Sequence, residues 1–513
     1  MSCTPILRRP AAVLSSLLCA MALAILSLSV MPPAARAQGM PGAPGGAMAP
    51  AMQGGPGAAS GPGAPGGPGG PAGGPPLPAG LPPMPPQEPV VLVPVVEIVD
   101  GQWRAGDPAA AAQVRGQDGR QALRIVSTRD QVNGLIVRGR GQTTLKGARI
   151  EIRGRGKSDF DGIAAGLLVK DDAQLTLHDA RIVTRGVVAS AITATDRSTL
   201  EVRRSHLVAE GGPLPSGYTR RIGPGMMEPP TPLGLSGTAR TTLALGSAKV
   251  RYVDSHIEAE AWGALSTDAA RGATLQADRC TIVVRRSGYG TYSDNGAAVI
   301  LNDSRMTVPT FGGVIAGQAS LTLNRVVSQS GGNTVMIHSV MGQPQEVGTL
   351  HIDGGTLHST NAAIVVKSAN ADIVLRRTTL RADNGDLLLG VANDDAFATR
   401  TQGAVVPGIR ALVQDSTLQG HLVHLDKDRA MRVRLQGSRL QGRVQDVELA
   451  LDAGSHWLAT ADSRVRLAPG TPLERIDARP GVTITALAQP GGLAVGEHRL
   501  ASGGRLLIQA DPG

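Results

Sequence analysis

Down most of this 513-residue chain one phrase returns: an apolar residue, two turn-forming positions, a small residue, a variable one and a second apolar residue, L-x-x-S-x-L. It stands at 145–150, 177–182, 202–207, 252–257, 277–282, 301–306, 352–357, 375–380, 413–418 and 435–440. Its second apolar residues Ile182, Leu207, Ile257, Ile282 and Met306 lie 25, 50, 25 and 24 residues apart, the footprint of a solenoid built one coil at a time. Within the most regular coil, 191–194, 199–202 and 206–209 read as three short strands separated by turns at 195–198 and 203–205. The expectation is an all-β parallel β-helix of about 12–15 coils over 131–445, one coil per ~4.8 Å. An apolar run beginning at Val90 is expected to cap its N-terminal end, within a segment 89–130.

The phrase also assigns roles to its polar positions. The residue two after the second strand reads Asp179, Arg204, Asp254, Arg279, Asp303 and Arg325, so in-register stacking predicts unlike charges one coil apart. Beyond Arg325 the alternation stops, with Gly354, Arg377, Asp415 and Gly437. Cys280 occupies the small-residue position beside Ser205, Ser255 and Ser304, which reads as a packed turn residue rather than a reactive thiol.

Upstream, Arg8 and Arg9 precede an apolar stretch over 11–30, and Ala35-Arg36-Ala37 supplies a small-x-small cleavage site. Residues 1–37 therefore read as a signal peptide, with a retained anchor as the alternative and no stable transmembrane domain expected in the mature chain. Residues 38–88, rich in Gly, Pro, Ala and Met and without charge until Glu88, read as a disordered linker. Cleavage removes Cys3 and Cys19, leaving Cys280 without an internal disulfide partner. It also removes Arg8, Arg9 and Arg36, taking the formal charge from +9 to +6. With aromatic residues at only 2%, that excess does not point to nucleic acid.

Function in a solenoid is sought where the repeat breaks. The longest interruption, 211–240, carries Tyr218, Arg220 and Arg221 together with Met226 and Met227, which are expected at the surface as material for binding an anionic sugar or a protein. A shorter one carries Asn393, Asp394, Asp395 and Phe397; adjacent carboxylates without a Gly-Asp repeat are a thin basis for calcium. A basic stretch near one end, with Arg138, Arg140, Arg149, Arg153, Arg155 and Lys157, is the other place where an anionic glycan or headgroup could be met. The expected ligand-binding residues are thus Tyr218, Arg220, Arg221, Arg138, Arg140, Arg153 and Arg155.

No catalytic constellation stands out. Asp159 and Asp161, and Asp171 and Asp172, sit in turn contexts where acidic residues are ordinary, and the Gly-His-Gly segment of pectin hydrolases is absent. Ten histidines are scattered singly, among them His178, His206, His256, His351 and His358, without metal-ligand spacing, so neither a metal nor a cofactor is expected.

Gly454-Ser455-His456-Trp457, followed by Thr460-Ala461-Asp462-Ser463 and a further strand, resembles the segment near the C-terminal end of autotransporter passenger domains of the pertactin type. The resemblance covers about twenty residues within 446–513, here taken as the C-terminal segment and cap. It implies a right-handed parallel β-helix of the pectin-lyase-like kind, export, and adhesion or host contact at a surface. Such passengers are followed by a membrane β-barrel of roughly 250–300 residues, for which the stretch ending at Gly513 leaves no room. The expected location is therefore periplasmic, cell-surface or secreted. Function is read first as a monomeric, non-enzymatic, adhesin-like contact with a host surface protein or glycan. A polysaccharide lyase or hydrolase acting on acidic glycans is the second reading, and a structural spacer the third.

Overall fold

The computed structural model describes residues 90–510 apart from 269, 340–342, 394–400, 402 and 404. The expected signal peptide and linker, and Asp394, Asp395 and Phe397, lie outside the described residues.

The repeat folds as its spacing predicts. In the coil at 192–210, Ile192–Ala194, Thr199–Arg203 and His206–Glu210 are three strands, within one residue of those expected. Each stacks in parallel on its counterpart in the next coil, giving a parallel β-helix with three sheets. The first is typified by Thr199–Arg203, the second by His206–Glu210 and the third by Ile192–Ala194. Among the described residues, fourteen successive parallel pairings join fifteen first-sheet strands, from Gln142–Lys146 to Arg505–Gln509.

The two apolar positions of the phrase become two continuous inward columns. Leu145, Leu177, Val202, Tyr252, Ala277, Leu301, Leu323, Ile352, Leu375, Val413 and Leu435 stack in Cα register in the first sheet. In the second sheet, Ile150, Ile182, Leu207, Ile257, Ile282 and Met306 do the same. All are buried; each full-sized aliphatic contributes about 1.5–3 kcal/mol through loss of apolar surface to water. The coil that the phrase skips, at 323–328, carries Val326 at the small-residue position and Ser328 at the second apolar one. Ser328 nonetheless stacks between Met306 and Leu357.

The small residue is a hydrogen-bonding one for a structural reason. Ser205 Oγ accepts the Ala180 N–H at 3.0 Å, Ser255 Oγ the Ser205 N–H at 3.1 Å, and Ser304 Oγ the Cys280 N–H at 3.0 Å. The series resumes with Ser416, Ser438 and Ser455, each taking an N–H from the preceding coil. Each hydroxyl of Ser205, Ser255 and Ser304 in turn donates to a carbonyl two residues back. A buried N–H at a turn has no strand partner, and the serine ladder supplies one.

Just before the serine the chain turns through the left-handed region, at Asp179, Arg204, Asp254, Arg279, Asp303, Arg325, Arg377 and Asp415, with φ between 46° and 55°. Gly354 and Gly437 hold the same position. Asp and Gly accept that conformation readily, whereas Arg does so at a cost on the order of 1 kcal/mol. Arg204, Arg279 and Arg325 reach back one coil to Asp179, Asp254 and Asp303 at 2.9, 2.7 and 2.6 Å, each through two parallel hydrogen bonds. The predicted ladder of unlike charges is therefore formed. It also outlasts the alternation, because Arg377 uses the neighbouring Asp353 at 2.7 Å.

Cys280 is a member of the serine ladder. Its thiol, 2% exposed, donates to the Asp278 carbonyl at 3.3 Å, and burial pushes its pKa up to about 11. A hydroxyl bonds more strongly at this place than a thiol does. Cys280→Ser is expected to raise the unfolding free energy by about 0.5–1 kcal/mol in a denaturant titration, and a loss of stability would contradict the ladder's role.

Antiparallel pairs close both ends of the described solenoid. Pro94–Val99 stacks in parallel on Asn133–Arg138 and pairs antiparallel with Gln102–Ala105. At the other end Gly496–Arg499 folds back on Arg505–Gln509. Such hairpins stop further strand addition.

Candidate functional site

One flank of the β-helix carries a second core outside the first. Third-sheet strands are apolar on both faces: the outward-facing Val314, Met336, Val365 and Leu389 stack in register, and the first three are buried. Residues 157–165 and the loop 211–240 lie over this sheet. Met226, Leu235, Val187, Val188, Trp262 and Tyr289 join the column, with Phe160, Tyr292 and Phe311 packed against it. Thr238 closes the loop at its base, accepting the Gly212 N–H at 2.9 Å and donating to the Gly212 carbonyl at 2.8 Å. Further along, the Asp159 N–H reaches the Met226 carbonyl, the Gly225 N–H reaches Ser158 Oγ, and the Trp262 N–H reaches the Ser236 carbonyl.

Arg240 pins this assembly from beneath. Its side chain is 1% exposed and forms ion pairs with Asp159 and with Asp268, the latter at 2.8 Å. Its guanidinium lies 4.7 Å from the Trp262 ring centroid and 5.9 Å from that of Phe160, and it donates to Tyr289 Oη at 3.3 Å. A buried charge is tolerated only when paired, and here two carboxylates and two aromatic faces replace the water it has lost. Nearby, Asp161 is half-buried and accepts the Ile163 N–H at 2.8 Å. Desolvation raises its carboxyl pKa to about 6, against which the Ile163 hydrogen bond and Lys157 act more weakly.

That shift has a definite sign. The unfolded chain releases the Asp161 proton near pH 4 and the folded one near 6, so the native state binds more protons in between. Its contribution to stability is complete below pH 4 and is lost as pH rises through 6. Asp161→Asn is therefore expected to raise stability at pH 7 by about 1–3 kcal/mol and to flatten this part of the stability–pH curve; an unchanged slope between pH 4 and 6 would contradict it.

The residues expected to bind ligand are distributed differently from the sequence expectation. Arg220 is a brace within the loop, held by Glu228 and by Thr231 Oγ1 at 2.8 Å, and Tyr218 Oη accepts the Met227 N–H at 3.0 Å. Arg221 is exposed. Met226, expected at the surface, is 3% exposed, because the loop folds its apolar side inward. The basic set is split between two corners, with Arg138 and Arg140 before the first sheet and Arg153 and Arg155 after the second. Each faces a carboxylate: Glu97 for Arg138 at 2.5 Å, Asp172 for Arg140 at 3.9 Å, Glu151 for Arg153 at 2.8 Å and Asp130 for Arg155 at 2.9 Å.

Two other places hold chemistry. A depression of about 440 Å³ at the C-terminal hairpin is lined by Arg499 and Arg505 with Glu497 as its one carboxylate, short of the pair that glycoside hydrolysis uses. On the outer face of the second sheet, His206, His256 and Glu258 offer ligand atoms that all lie within 4.8 Å of one another. The two histidines are fifty positions apart in sequence, and only coil stacking makes them neighbours.

These features define an all-β parallel solenoid whose third-sheet flank is covered by a folded, aromatic-rich loop. No family model, curated protein or solved structure matches the chain. Among the described residues no helix is long and apolar enough to cross a membrane.

Proposed function

We propose that the protein is an exported, non-enzymatic, adhesin-like interaction protein that meets a host surface protein or glycan through the flank carrying 211–240. One observation carries this reading. In a chain with 2% aromatic residues, Phe160, Trp262, Tyr289, Tyr292 and Phe311 gather on that flank, with Tyr218 in the loop above them. A loop fastened this firmly presents Arg220, Arg221 and Thr231 at its exposed rim with little ordering left to do on binding, which favours affinity. The passenger-like phrase at 454–463 supports export, and N-terminal sequencing of the mature protein should then begin at Gln38. The full chain is tested for binding to host cells, matrix proteins and a glycan array. Shortening the loop by joining Gly212 to Thr238, and separately Arg221→Glu, should each reduce the detected binding at least tenfold; unchanged binding in both would overturn the assignment.

Cleavage of acidic polysaccharides is the second reading, favoured by Asp161, whose raised pKa suits a general acid. Unsaturated or reducing ends released from polyuronates, and lost in Asp161→Asn, would establish it in place of the first.

A further inference from the structure

We propose that His206, His256 and Glu258 form a binding site for a divalent transition-metal cation of the zinc type on the outer face of the second sheet. Both histidines occupy the variable position of the phrase, immediately before the second apolar residue, so their side chains point outward while Leu207 and Ile257 point in. Strands His206–Glu210 and His256–Thr267 pair in parallel with His206 directly opposite His256, and the imidazole centroids are 4.7 Å apart. Glu258 lies two residues on from His256 and therefore on the same face. All three side chains are half-buried, sheltered from bulk water yet reachable.

The geometry suits a small cation. Tetrahedral zinc with bonds of about 2.0–2.1 Å holds its ligand atoms roughly 3.3 Å apart. His256 Nε2 and Glu258 Oε2 are already 3.0 Å apart, and the ligand atoms of all three residues lie within 4.8 Å of one another. Two imidazoles and one carboxylate are a donor set that zinc, copper and nickel accept, and three protein ligands leave a position open to water or to an oxygen of a bound partner. Arg285 orients the carboxylate by holding Glu258 Oε1 at 3.1 Å, which leaves Oε2 turned to the histidine, the role outer ligand partners play in metal centres.

One contact opposes the metal. Arg181, in register with His206 one coil earlier, places its guanidinium against His206 Nδ1. It brings a positive charge to the site and, by donating to Nδ1, favours the tautomer with the proton on Nε2. The arrangement thus makes Arg181 a restraint on affinity.

The test is calorimetric titration of the chelator-stripped full chain with Zn²⁺, and electron paramagnetic resonance with Cu²⁺. One site is expected, with a two-nitrogen copper spectrum. His206→Gln and His256→Gln, surface changes that keep side-chain bulk, should each weaken Zn²⁺ binding at least about tenfold, and Arg181→Gln should tighten it about threefold or more. Thermal melts of the metal-free variants check that the fold is intact. Absence of Zn²⁺ binding at 0.1 mM, or unchanged affinity in the His206→Gln/His256→Gln double variant, would overturn the proposal, as would an Arg181→Gln variant that binds no tighter. The site lies on the second sheet, so loop-shortened protein that has lost its surface ligand should still bind Zn²⁺, and the two proposals fail separately.

Discussion

Arg240→Met is expected to lower the unfolding free energy by about 3–5 kcal/mol, and to open the loop at 211–240 to trypsin at Arg220 and Arg221. The size of the effect comes from what is left behind. Asp159 has a fully buried side chain, and without the guanidinium its charge has neither solvent nor partner. The same substitution removes the cation from between the Trp262 and Phe160 rings and unfastens the loop from the 157–165 segment. Adding Asp159→Asn should restore a substantial part of the loss, because the unpaired charge goes with it. A double variant no more stable than Arg240→Met alone would show that packing, not charge, dominates this site.

Trp457→Ala is expected to cost about 3–5 kcal/mol, the range for removing a fully buried tryptophan. Trp457 is 0% exposed and stacks between Leu440 and Ile476, filling the second apolar slot of its coil, and its Nε1–H donates to the Gly442 carbonyl at 3.0 Å. The damage should be local. Each coil contacts only its neighbours, so amide exchange ought to quicken from about 439 to 510 while the coils before 330 keep their protection. Uniform loss of protection along the chain would instead mean that the solenoid unfolds as a single unit.

The scaffold was legible because its period is local. The L-x-x-S-x-L phrase placed both inward columns, the turn between them and the unlike charges at Asp179, Arg204, Asp254, Arg279, Asp303 and Arg325, but not the left-handed conformation of that turn. It did not reveal why serine recurs, since the hydrogen bond that serine makes is to a coil about 25 residues away. The site was harder to read for the same reason. Asp159 was visible as a turn residue and Arg240 only as the last residue of the 211–240 interruption, and nothing in their 81-residue separation joins them. The loop was marked by the fifty-residue gap between Leu207 and Ile257, but its apolar inner side was not, because Met226 and Leu235 are isolated among Gly and Pro. His206 and His256 could have been paired from sequence: both stand one place before the second apolar residue of coils that abut once the insertion is set aside.

The corners of the coil differ in what they allow. Between the first and second sheets the chain turns within two residues at nearly every level, held by the serine ladder on one side and Asp–Arg pairs on the other. An added residue there would displace a serine from the N–H it serves and shift the next strand by one, exchanging its inward and outward faces. Between the second and third sheets the connection runs straight through at 256–267, takes two residues at 309–310, and expands to some thirty at 211–239 without disturbing the pairing of His206–Glu210 with His256–Thr267. Foreign peptides or recognition loops grafted into this rod should therefore be accepted along that second edge, level by level, and refused along the first.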